Sequence, residues 1–251
     1  MARIREKVLT IAGFDPSGGA GILADIKAFE ENKCLGMAVQ TAFTIQNEVE
    51  VEDVFWHADT KVEAQIKILA KTNQFDAIKI GICKDFEKFI QILNWCHQYF
   101  PKAKVIWDPI LKSSSGFDFI GNLNADDIPW TKIDWITPNW TEAKAIFNLE
   151  DESLIEGIQK LNLPTKILIK GGHNPKKDGR DHLITNGNIY PFKAKRQIEH
   201  QKHGSGCIFS SSLTAMVARH FPDIKAVLKS KKYTLNCLES NSSLLAYHKK
   251  G

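Results

Sequence analysis

Short apolar runs alternate with longer amphipathic stretches along most of this chain. "KVLTIAG" precedes a helix-like segment from Gly19 to Glu31, "MAVQTAFTIQN" comes before another from Asp59 to Thr72, and "FDAIKIGI" leads into the amphipathic "DFEKFIQILNWCHQYF". The alternation continues through "KVIWDP" and "IDWITPN", both apolar enough for buried strands, to "TEAKAIFNL", a helix opened by a polar residue. Strand-length apolar runs separated by helix-length segments predict an α/β fold whose sheet is mainly parallel. After "TKILIKGG" the grammar changes. Two short runs flank "TNGN" in "RDHLITNGNIYPFKAK", and the Asn186-Gly187 pair predicts a type I′ hairpin with antiparallel strands. "GSGCIFSSSLTAMVARH" then reads as a glycine-rich turn running into a helix, and the remaining residues supply one or two closing helices and a basic tail. No linker, repeat or low-complexity block divides the chain, so residues 1–251 are expected to form one domain.

Composition narrows this picture without changing it. A chain of 251 residues with 43% hydrophobic content buries a sizeable core. The 33 Lys and Arg against 29 Asp and Glu leave only +4, a mild excess that suits phosphorylated ligands but lacks the concentrated charge of many nucleic-acid binders. Five scattered cysteines, Cys34, Cys83, Cys96, Cys207 and Cys237, form no CxxC pair, which argues against a disulfide framework or a structural zinc site and for a reducing cytoplasm. The N-terminal "MARIREKVLTIAG" has no apolar run of signal-peptide length, and no stretch of about 18 apolar residues occurs. A protein with no membrane and no nucleic-acid partner is expected.

In a sheet of this kind ligands gather at the carboxyl ends of the parallel strands. That singles out "AGFDPSGGAG", "IQNEVE", "DPILKSSSG" with "TPNWTE", and "KGG" with "HGSGC". The first loop is not a Walker loop, because Gly13 and Gly18 are followed by Gly19 and Ala20 where lysine and then serine or threonine are needed. Its glycines serve either packing or close approach to a ligand, with Asp25 farther along the helix. "HGSGC" opens a helix, so the backbone N–H groups of Gly204, Ser205, Gly206 and Cys207 can converge on an anion. Cys207 at that positive end is either an activated thiol or a small buried residue. Asp108 and Glu142 should emerge on one sheet edge, where two carboxylates suit Mg²⁺ with substrate phosphates; alternatively one caps a turn and the other sits in a solvated first helical turn.

Taken together, "TIAGFDPSGGAGILADIKAF", "TAFTIQN", "IKIGI", "DPILKSSSG", "ITPNWTEA", "LIKGGH" and "HGSGCIFSSSLTA" resemble, in order and spacing, the hydroxymethylpyrimidine and phosphomethylpyrimidine kinases of thiamine biosynthesis, members of the ribokinase-like superfamily. The resemblance spans roughly Val8 to Arg219. It implies a ribokinase-like three-layer αβα sandwich and ATP-dependent phosphorylation of 4-amino-5-hydroxymethyl-2-methylpyrimidine, then of its monophosphate, in one site. It also implies a pyrimidine pocket walled by Gly13, with Asp25 and Gln46 reading the ring and Thr44, Ile82 and Ile110 lining it. Gly204, Ser205 and Gly206 would stabilise the transferred phosphoryl group and Cys207 would be the candidate base. Asn139 and Glu142 would serve the Mg²⁺ network together with Asp108, and Lys170 would approach the ATP phosphates. Relatives are often homodimers. Pyridoxal kinase activity and a non-catalytic pyrimidine-binding protein are the alternatives.

Four departures from the family pattern stand out. Phe14 and Ser205 replace a more usual serine and threonine, Lys202 replaces a threonine and is read as solvated, and the C-terminus lacks a glycine-rich, proline-containing ending.

Overall fold

The computed structural model describes residues 4–112, 119, 123–174, 179–193 and 202–248. Nine strands among them form one sheet. These are β1 (Lys7–Phe14), β2 (Leu35–Gln46), β3 (Val51–Trp56), β4 (Ala77–Ile80), β5 (Lys104–Trp107), β6 (Trp135–Ile136), β7 (Lys166–Ile169), β8 (Asp181–Thr185) and β9 (Asn188–Phe192). Their spatial order is β3-β2-β1-β4-β5-β6-β7-β8-β9. The six strands from β2 to β7 run parallel, while β3 pairs antiparallel with β2 and the β8–β9 hairpin closes the other edge. The hairpin turns at Asn186 and Gly187, both with positive φ, as a type I′ turn requires.

Side-chain alternation along the strands builds two cores, one on each face. Leu9, Ile11, Ile78, Ile80, Val105 and Trp107 point to one side. There they meet α2 (Asp59–Ala70), α3 (Phe86–Tyr99), α4 (Trp140–Phe147) and α5 (Leu154–Lys160). Val8, Ala77, Ile106, Trp135 and Leu168 point to the other. That side is covered by α1 (Gly21–Glu31), α6 (Ser205–Ala218) and α7 (Asp223–Leu238). The result is the expected αβα sandwich. α6 lies between the sheet and its neighbouring helices, which is why residues on every side of it from Cys207 to Met216 are buried.

Two elements escape the hydrophobic pattern. "VEDVFW" forms β3 although "IQNEVE" reads as a loop, because this strand extends the sheet edge and exposes its acidic residues. The short α5 follows a turn and carries only a three-residue apolar face, Leu154, Ile155 and Ile158. From β1 the chain goes to β2 on one side and later to β4 on the other. This is a topological switch point, and the loop after β1 lies directly above it.

Candidate active site

Asp108 follows β5 and is fully buried. Its Oδ1 accepts from Lys170 Nζ at 2.8 Å and Thr137 Oγ1 at 3.1 Å, and its Oδ2 accepts from Ser210 Oγ at 2.8 Å. Burial alone would raise its pKa, but the charges of Lys170 and Lys79 and these hydrogen bonds outweigh it and hold the carboxyl below its usual range. Lys170, at the end of β7, responds in kind. Burial disfavours its charge, yet Asp108 and Glu142 hold its pKa above normal. Its Nζ lies 3.2 Å from the place a Cβ on Gly206 would occupy, so one ammonium spans the carboxylate and the start of α6.

Asn139 and Glu142 form a capping box at the N-terminus of α4. Asn139 Oδ1 accepts from the Glu142 N–H at 2.9 Å, and Glu142 Oε2 accepts from the Asn139 N–H at 2.7 Å. Asn139 therefore positions Glu142 through its side-chain oxygen. Burial, reinforced by the charge of Asp108, pushes Glu142 up to about 7, against the opposing pull of Lys170 and backbone N–H groups. Among the described residues no group of three His, Cys, Asp or Glu side chains is arranged to hold a metal. Two carboxylates beside a lysine nevertheless fit Mg²⁺, which keeps several waters and shares its coordination with substrate phosphates.

Gly204 caps α6 with φ +69°, and a Cβ there would stand 2.0 Å from the carbonyl oxygen of Gly19. Only glycine permits that contact, which seats the loop before α6 on the first glycine loop. Past the cap, Gly206 and Cys207 present first-turn N–H groups that intrahelical carbonyls cannot reach, and no side chain caps the helix. The thiol of Cys207 does not follow the expectation of a depressed pKa. Burial pushes it up to about 11, outweighing the nearby Lys79 charge and a hydrogen bond from the Gly21 backbone, so it is a neutral thiol at physiological pH. Lys202 corrects another expectation. It is 6% exposed, and its ammonium holds Asn241 O at 2.7 Å, Asn241 Oδ1 at 2.9 Å and Ser243 O, tying the C-terminal segment to this loop instead of facing solvent. The His203 N–H donates to Leu244 O at 2.9 Å in the same seam.

On the acceptor side, a Cβ on Gly13 would lie 2.4 Å from Ile82 Cδ1, so the missing side chain lets the loop after β4 close against β1. Ile110 and Ile82 are half-buried at the ends of β5 and β4, and Gln46 is half-buried at the end of β2. These residues share the strand-end edge. Thr44 is 2% exposed and gives its hydroxyl to Phe14 O at 2.8 Å, so it supports the loop from beneath. Residues 113–116 of "DPILKSSSG" lie outside the described residues.

Asp25 does not reach this edge. It points from α1 into the sheet, where it is 0% exposed and accepts from Lys79 Nζ at 2.6 Å, Thr10 Oγ1 at 2.6 Å and Ser211 Oγ. The ring-reading role expected for it is withdrawn, because its carboxylate is consumed by a buried network under the site. Lys79 is the partner that sequence reasoning missed. A lysine inside the apolar run of a central strand has to be paired, and that mismatch in "AIKI" was the available signal. Burial disfavours its charge, but Asp25, with Cys207 and Asp108 nearby, holds its pKa above normal. Ser210 and Ser211, each bonded to one of the two buried aspartates, were likewise hidden in "IFSSSLTA".

The chain matches the family model of phosphomethylpyrimidine kinase over residues 15–250. It is 33% identical to a hydroxymethylpyrimidine/phosphomethylpyrimidine kinase of Staphylococcus aureus strain Mu50, across 92% of this chain and 87% of the relative. The phosphomethylpyrimidine kinase of Clostridium difficile 630 superposes with a TM-score of 0.75 at 28% identity, covering 92% of this chain and 99% of the other. A pyridoxal kinase from Staphylococcus aureus in complex with AMP-PCP gives a TM-score of 0.80 at 25% identity, covering 94% and 89%. No helix among the described residues is long and apolar enough to cross a membrane. A family match over nearly the whole chain, and an edge that joins a carboxylate–lysine cluster to a helix N-terminus, lead to one conclusion: this chain belongs to the phosphomethylpyrimidine kinase family.

Proposed function

We propose that this protein transfers the γ-phosphoryl group of ATP to the hydroxymethyl group of 4-amino-5-hydroxymethyl-2-methylpyrimidine, and then phosphorylates the monophosphate to the diphosphate. The observation that carries the reading is the meeting of Lys170, Asp108 and the start of α6 at one strand-end edge, with Gly13 and Gln46 on the adjoining strands. Phosphoryl transfer is mainly positioning and electrostatic stabilisation, and this edge supplies both. Lys170 contributes a permanent positive charge, and the N–H groups of Gly206 and Cys207 offer donors to the oxygens of the migrating group. Cys207, being a neutral thiol, contributes mainly through its backbone N–H. Mg²⁺ would be held by Asp108 and Glu142, with Asn139 orienting Glu142, and would neutralise phosphate charge when bound. The acceptor is read by Gln46, whose amide both donates and accepts, as an aminopyrimidine edge requires.

The likeness to a pyridoxal kinase keeps that acceptor as the alternative. An ADP-release assay over hydroxymethylpyrimidine, its monophosphate and pyridoxal separates the two readings. Turnover with both pyrimidines is expected, and turnover with pyridoxal alone would overturn the proposal.

A further inference from the structure

Asp15 lies where the first glycine loop meets the loop before α6, and it is 2% exposed. Its Oδ1 accepts from the Ser17 N–H at 2.8 Å, and its Oδ2 accepts from Ser17 Oγ at 2.9 Å and from the Ala20 N–H at 2.8 Å. The same Oδ2 lies 2.9 Å from Nε2 of His203, a residue 188 positions away that directly precedes Gly204. Burial alone would raise the pKa of Asp15, but its hydrogen bonds, that of His203 foremost, outweigh it and hold the group ionised. An ionised carboxylate only accepts, so His203 carries a proton on Nε2 and donates the bond.

Two contacts act in opposite senses between the same two loops. The carbonyl oxygen of Gly19 sits so close to Gly204 that a Cβ there would stand 2.0 Å from it, which stops the loops from approaching further. The hydrogen bond from His203 to Asp15 stops them from parting. The imidazole also lies against Gly19, where a Cβ would meet its Cδ2 at 2.5 Å. On one side of this junction stands Gly13, at the proposed acceptor wall, and on the other the N–H groups of Gly206 and Cys207 open α6. Transfer needs the reacting atoms within about 3–3.5 Å of each other, so the separation of the two loops bears directly on its rate. We propose that Asp15 and His203 are positioning residues for phosphoryl transfer: their hydrogen bond fixes the distance between the loop that walls the acceptor and the helix start that receives the migrating phosphoryl group. The inference rests on the phosphoryl-transfer reading of this edge. Lys202 and the Leu244 carbonyl hold the other side of the loop before α6 without Asp15, so breaking the pair frees one side only.

The test is steady-state ADP release with 4-amino-5-hydroxymethyl-2-methylpyrimidine, on the wild-type protein, His203→Leu and His203→Gln, with melting curves for each. His203→Leu removes the donor but leaves Asp15 its three bonds from Ser17 and Ala20, so the fold should survive. Its kcat should fall by a factor on the order of 10 to 100, with KM for pyrimidine and for ATP changed less than about threefold, because the pair sets approach and not binding. His203→Gln offers an amide nitrogen near the place of Nε2 and should recover at least about a third of wild-type kcat. A folded His203→Leu with wild-type kcat, a loss confined to KM, or a glutamine variant no faster than the leucine one overturns the inference while leaving the phosphoryl-transfer reading intact. A wild-type protein that phosphorylates neither the pyrimidines nor pyridoxal defeats that reading, and the inference with it. If His203→Leu does not fold, His203→Asn, whose shorter amide stops short of the carboxylate, takes its place with the same expected loss. Long-range ¹H–¹⁵N spectra of the wild type, with His203 assigned by its loss in His203→Gln, check the bond without a kinetic readout: a proton on Nε2 supports the pair, and an Nε2 without one refutes it.

Discussion

Removing the ammonium of Lys79 should destabilise the protein more than most single substitutions do. Lys79 and Asp25 are both 0% exposed, and their ion pair at 2.6 Å joins β4 to α1 beneath α6. Lys79→Met leaves the Asp25 carboxylate buried with the neutral hydroxyls of Thr10 and Ser211 as its donors. Breaking a buried pair on one side costs about 3–5 kcal/mol, because an uncompensated charge remains in the interior. At roughly 2–4 °C per kcal/mol for a chain of this size, Tm should fall by roughly 6–20 °C. The double variant Lys79→Met with Asp25→Leu should recover at least half of the loss, since well-packed apolar groups replace buried ion pairs at little cost. Urea unfolding followed by tryptophan fluorescence gives the midpoint and slope for each variant. A loss below about 1 kcal/mol in Lys79→Met, or a double variant no more stable than the single, would refute the reasoning. Asp25→Asn should share the destabilisation while the folded fraction binds pyrimidine normally. A selective loss of pyrimidine affinity at unchanged stability would return Asp25 to the pocket.

Three further outcomes follow from the site. With its pKa near 11, Cys207 should be alkylated slowly by iodoacetamide at neutral pH, and Cys207→Ala should stay within about tenfold of wild-type kcat, short of the hundredfold or greater loss that removal of a general base brings. Rapid alkylation with a large kcat loss would make the thiol the base. Glu142 has a folded pKa of about 7 against an ordinary value of 4.5, so the folded state binds more protons between them and this group's contribution to stability declines as pH rises through that interval. Glu142→Gln keeps the capping oxygen and should remove that slope; melting curves in EDTA from about pH 5 to pH 8 that run parallel for both proteins would contradict it. Gly204→Ala places a Cβ against Gly19 O in a left-handed backbone conformation, and should cost at least about 1–3 kcal/mol with loss of turnover, measured by melting and ADP release. Wild-type stability and activity would show that the two loops need not touch.

The parallel strands and their helices were legible because each buries one consistent face, and the hairpin because Asn186-Gly187 has one favoured geometry. The carboxylate cluster was legible because Asp108 and Glu142 each follow a buried run. What stayed hidden depended on direction. Asp25 falls on the part of α1 that faces the sheet, and only the packing of α6 over that face shows that its partners are Lys79 and Ser211. Asp15 was obscured by the glycines around it, since its partner His203 is distant in sequence and meets it only where the two glycine loops join. Lys202 carried no local sign that a segment some forty residues later would bury it.

The most direct measurement is to incubate the protein with Mg²⁺, hydroxymethylpyrimidine and ATP labelled at the γ-phosphate, and to follow the products by ³¹P NMR and mass spectrometry. The account predicts a labelled monophosphate that is converted in turn to the diphosphate. Label that never reaches the pyrimidine, or reaches only pyridoxal when that is offered instead, would contradict it.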